Sequence, residues 1–147
     1  MEETRQYSAV MGRAAALTGV WLFFGAAGAS GQAALPELLP LPSGGVAHLH
    51  ETLSDRPGPG PGLIYRFRFV QDGFEVTEGG FDAVMSDLQY LCDSYAVPRL
   101  PAVGPQPDQV VISLAGAETV FGEPTPGVAQ VFEAFRVENG VCIWEEF

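Results

Sequence analysis

Lysine is absent from the 147-residue sequence: all seven basic residues are arginines, set against eighteen acids, for a formal net charge of −11. From Ser30 onward five arginines face sixteen acids. A chain this acidic repels phosphate backbones and anionic lipid surfaces, which argues against nucleic-acid and peripheral membrane binding. Histidine and cysteine are also scarce, with two of each. No G-x-S-x-G, H-E-x-x-H or C-x-x-C occurs, so the usual hydrolase, metalloprotease and thiol-redox signatures are missing. No apolar run is long enough to serve as a permanent membrane anchor. What is present is globular: 47% of residues are hydrophobic and only 17% charged, enough apolar surface to offset chain entropy.

The longest apolar run, 14–27, follows Arg13 and ends in small residues, the three parts of a secretory signal peptide. Ala27-Gly28-Ala29 fits an A-x-A cleavage site, which predicts a signal peptide over 1–29 and a mature start near Ser30. Gly31-Gln32-Ala33 is the second choice. Glu2 and Glu3 suit such a leader poorly and Met11-Gly12-Arg13 suits it well, so translation is expected to begin at Met11 and not at Met1. The expected location is periplasmic or secreted, with no stable membrane anchor after cleavage.

Residues 30–45 are small, proline-rich and without period, and read as an extended lead-in to a single α+β domain over 46–147. The segment 46–53 alternates as a strand, with Val46, His48 and His50 on one face and Ala47, Leu49 and Glu51 on the other. "DRPGPGPG" follows as a loop; its prolines remove the N–H donors that a phosphate cradle needs. "LIYRFRFV" is the clearest strand, with Tyr65, Phe67 and Phe69 facing one way and Arg66 and Arg68 the other. The period then changes. Phe81, Val84, Met85, Leu88, Leu91, Cys92 and Tyr95 make a helical stripe, with Asp82, Asp87 and Asp93 off it, and Pro98 is expected to stop the helix near Ala96.

"QVVISLA" is a further strand, and 118–121 is expected to pair with it. "GEPTPG" is loop. Asn139-Gly140 is a strong hairpin signal, because a type I′ turn needs positive φ at both central positions. Pairing outward from it sets Val137 opposite Cys142 and Phe135 opposite Trp144 on the inner face, with Arg136 opposite Ile143 and Phe132 opposite Phe147 on the other. The expected architecture is therefore an antiparallel sheet of five or six strands, in the order β-β-α-β-β-β-β, with one amphipathic helix packed on one face.

Cys92 lies on the apolar stripe of the helix, and Cys142 shares a strand face with Trp144. In an exported chain, two cysteines placed this way predict one disulfide stapling helix to sheet. A redox pair lacks the C-x-x-C spacing, and a metal site lacks a second pair of ligands.

"GLIYRFRFV", "DLQYLCDSYAVPRL", "GPQPDQVVISLA" and "FEAFRVENGVCIWEEF" together resemble an uncharacterised family of short exported alphaproteobacterial proteins, classed as a domain of unknown function. The likeness covers 63–147. It implies export and a shared fold but no activity, so no catalytic residue carries over. Some relatives bear the label acetolactate synthase, which this sequence does not support: a thiamine-diphosphate enzyme needs a far longer chain and a diphosphate–magnesium site.

Three groups offer candidate chemistry. Arg66 and Arg68, two apart on one strand face, can clamp a carboxylate or phosphate and are the candidate anion-binding residues. His48 and His50, with Glu51 or Asp55 near, are the only candidate metal ligands; no metal or other cofactor is expected. Glu145 and Glu146 alternate across the last strand and do not form a catalytic dyad. The resulting expectation is a binding or protein-interaction module without catalytic residues, engaging an unknown periplasmic protein or a small anionic ligand. The alternative is a small metal protein or enzyme using His48 and His50.

Overall fold

The computed structural model describes residues 34–56 and 62–146. The expected signal peptide, the expected start at Met11, and Phe147 with its pairing to Phe132 lie outside the described residues. Six strands form one sheet in sequence order: β1 (Leu38–Pro40), β2 (Val46–Asp55), β3 (Ile64–Val70), β4 (Gln109–Ala115), β5 (Gln130–Glu138) and β6 (Val141–Trp144). With the helix between β3 and β4, the fold class is α+β, as expected.

Two strands differ from expectation. The lead-in supplies β1, which pairs with β2 through Leu39 and Ala47. Residues 118–121 form no strand; they belong to the loop between β4 and β5. The sheet is also mixed, because β3 and β4 run parallel while the other four pairings are antiparallel. The reason is the connection. A helix crossing the sheet face returns the chain to the end where β3 began, and a strand starting there runs in the same direction.

That helix is α1 (Phe81–Leu91), continued by a π-helical turn at Cys92–Ala96 and a 3₁₀ turn at Val97–Arg99. It starts without a side-chain cap, from Gly80, with Asp82 in its first turn. Pro98 does not stop it at Ala96. The tighter final turn places proline at its start, where the missing N–H is not needed, and the backbone becomes extended only at Leu100.

The helical stripe packs on the face formed by Phe67, Phe69, Val110, Ile112, Leu114 and Phe135. Tyr95 meets Phe69 edge to face at 5.3 Å and Phe67 at 6.4 Å, a geometry that the ring quadrupoles favour. Phe81 stays outside the core, tilted against Trp144 at 6.3 Å. Asp87 is buried at 2% exposure, where periodicity placed it off the stripe. Its Oδ1 accepts a 2.9 Å hydrogen bond from the Ser43 N–H, tying the β1–β2 turn to the helix. At the other end Arg99 stacks 3.5 Å from the Tyr95 ring and pairs with Glu37 at 3.0 Å.

β5 and β6 join through Asn139 and Gly140, both at positive φ (53° and 79°), and pair Phe135 with Trp144, Arg136 with Ile143 and Val137 with Cys142, the register expected. Cys142 and Cys92 form a disulfide between strand and helix, with Cα atoms 6.1 Å apart. Such bonds persist in oxidising compartments. Among the described residues no helix is long and apolar enough to cross a membrane.

Candidate functional site

The helix covers one face of the sheet and leaves the other to solvent and to the loop over 116–129. That outer face carries Arg66 and Arg68 from β3, Val111 and Ser113 from β4, and Phe132 from β5, since cross-strand partners share a face. The β4–β5 loop closes on itself through the Gly116 N–H and the Ala129 carbonyl, at 2.9 Å, and lays Val120, Phe121 and Gly122 beside the sheet. Between loop and strands lies an open cleft of about 510 Å³, lined chiefly by Arg66, Arg68, Val111, Ser113, Phe121 and Phe132.

A bulge in β2 sets the charge arrangement. Leu49 and Glu51 oppose the consecutive residues Phe69 and Arg68, leaving His50 as the extra residue. The bulge moves Glu51 from the face that strict alternation gives it to the outer face, opposite Arg68. Arg68, only 6% exposed, donates from Nη1 to Glu51 Oε1 and from Nη2 to Thr119 Oγ1. Burying a guanidinium is tolerable only with such partners. Arg66 donates from Nε to Asp55 Oδ1 at 3.3 Å. Both guanidinium groups lie over the Phe121 ring, at 5.5 and 5.6 Å from its centroid. The two arginines are thus the posts on which the loop rests.

The structure brings Arg66 and Arg68 together as the sequence places them, but each already has a carboxylate. His50 lies between two acids, Nδ1 3.5 Å from Glu118 Oε1 and Nε2 3.8 Å from Glu51 Oε1. His48 pairs across the strands with Leu38 and Val70, away from the cleft. No three His, Cys, Asp or Glu side chains converge as a metal site among the described residues. Glu145 accepts from Gln109 Nε2 at 2.8 Å and lies 3.5 Å from Arg136, so it braces strand ends, while Glu146 is exposed.

Sequence reasoning missed Thr119 and Phe121 as parts of the site. Their apolar and β-branched character reads as a strand, and nothing local says that arginines 51 to 55 residues earlier hold them. An aromatic residue two positions after a threonine, between Gly116 and the proline-rich "GEPTPG", is the only trace.

A model of a family of unknown function, DUF6497, matches residues 21–147. The chain belongs to that family. The DUF6497 match takes in every described strand, the helix, both cysteines and the whole cleft, reaching further toward the N-terminus than the likeness read from the sequence. No curated protein and no solved structure matches the chain.

Proposed function

We propose that the protein is an exported binding module that works without catalysis, through the outer face of its sheet. The observation that carries this reading is the cleft itself. It is walled by apolar side chains that the fold leaves in water, Val120, Phe121 at 51% and Phe132 at 67% exposure, around two fixed guanidinium groups. A few polar groups set in an apolar concavity are what ligand sites are made of. The signal-like N-terminal sequence and the disulfide support export to an oxidising compartment such as the periplasm. The metal-protein alternative on His48 and His50 has less support, because their side chains meet no shared set of ligands among the described residues.

The test is complementation of a deletion strain. Phe132→Glu puts a charge on the open face without touching the core, so it is expected to fold with wild-type melting and to fail to complement. Val76→Glu, at another exposed apolar position, is the control and is expected to complement. Full complementation by Phe132→Glu would remove the outer face as the working surface.

A further inference from the structure

We propose that the cleft takes a small monocarboxylate with an apolar or aromatic body, and that Arg66 receives the carboxylate. The inference rests on the binding reading above and adds a ligand class to it.

Three observations point to this class. Arg66 uses only its Nε on Asp55, so among the described residues both of its terminal nitrogens are without a partner at the cleft wall. A guanidinium edge with two free nitrogens fits a planar carboxylate through two parallel hydrogen bonds. Ser113, opposite Arg68 on β4, lines the same cleft with a hydroxyl that makes no hydrogen bond to protein among the described residues and stays open to the cleft. A ligand oxygen can replace water on that hydroxyl and so fix the ligand's orientation beside the guanidinium. Val111, Val120, Phe121 and Phe132 offer apolar area and ring faces, and Glu123 is the one charged side chain that joins the two arginines in the lining.

Charge decides between anions. Glu51 and Asp55 already balance Arg68 and Arg66, and Glu123 stands at the rim, so the site holds no net positive charge and binds an anion only through the local hydrogen bonds of Arg66. A phosphate dianion would bring uncompensated charge into a chain of net charge −11. A monoanion adds one charge, shares the Arg66 fork with Asp55, and gains burial of its body against the phenyl rings. The volume of about 510 Å³ suits a ligand of that size.

The test is calorimetric titration of the mature, oxidised protein with phenylacetate and octanoate as probes. Acetate, inorganic phosphate and 2-phenylethylamine are the controls. Saturable binding of a probe carboxylate, lost about tenfold or more in Arg66→Gln and in Phe121→Ala, is the expected result, with neither acetate nor phosphate binding. Arg66 is a partly exposed strand residue, so Arg66→Gln is expected to fold and to melt only slightly below the wild type, and Phe121→Ala tests the ring independently.

Equal binding of 2-phenylethylamine, or probe binding indifferent to both substitutions, would overturn the proposal. So would the absence of saturation by either carboxylate. In that last case, failure of Phe132→Glu to complement would still leave the outer face as the working surface, with a different occupant. Complementation by Phe132→Glu would remove the binding reading as well.

Discussion

Asp93 and Cys142 are joined side chain to backbone: Asp93 Oδ1 accepts the Cys142 N–H at 2.7 Å, one residue beyond the helix position whose sulfur is bonded to Cys142. Gln89, one turn earlier, donates to the Cys142 carbonyl at 2.8 Å and to Asp93 at 2.9 Å. β6 is the last strand of the sheet, and these bonds occupy backbone groups that would otherwise invite another strand.

Asp93→Ala is therefore expected to cost about 1–3 kcal/mol, since it leaves the N–H of a buried residue unpaired. Thermal melting of the oxidised protein checks the loss. Amide exchange at Cys142 is expected to quicken more than at Ile143, whose N–H faces Arg136 across the hairpin.

If the protein is exported as proposed, its mature form is expected to begin near Ser30 and to take up no alkylating reagent until it is reduced. Intact mass before and after reduction reads both points at once. Serine at both cysteines is expected to lower stability by up to about 4 kcal/mol, the loop-entropy value for a separation of 50 residues.

The two ion pairs of the cleft are not equivalent. Glu51→Gln strands the buried Arg68 charge and is expected to cost about 1–3 kcal/mol. Asp55→Asn acts on a partly exposed pair and is expected to cost less than about 1 kcal/mol. Urea denaturation of the two variants ranks them, and the reverse order would remove Arg68 as the anchor of the β4–β5 loop.

Gly116 opens that loop where a Cβ would come within 2.9 Å of the Phe74 carbonyl oxygen. Backbone cannot rotate away as a side chain can, so Gly116→Ala is expected to cost about 1–3 kcal/mol and to displace Thr119 and Phe121. Loss of stability with a parallel loss of probe binding in the calorimeter is the outcome that checks it.

Where short-range pattern decides, the sequence was readable. Alternation in "IYRFRFV", the 3.6-residue stripe on α1 and the Asn139-Gly140 turn each gave the element seen, and the hairpin register followed from the turn. The rest depended on contacts far along the chain. β1 has only three residues and exists because Ala47 and its neighbours offer an edge. The bulge at His50 breaks alternation without any glycine to mark it, so Glu51 was assigned to the wrong face. Asp87 is polar by type but buried by a partner 44 residues away. The arginine pair was legible as a pair; that Glu51, Asp55, Thr119 and Phe121 surround it was not.

The bond between Cys92 and Cys142 closes a covalent ring that contains the whole β4–β5 loop, the most outward part of the cleft. A single proteolytic cut anywhere in that loop leaves both pieces tied together. A nicked molecule would run as intact on a non-reducing gel, and its C-terminal hairpin would separate only once the sulfurs were reduced.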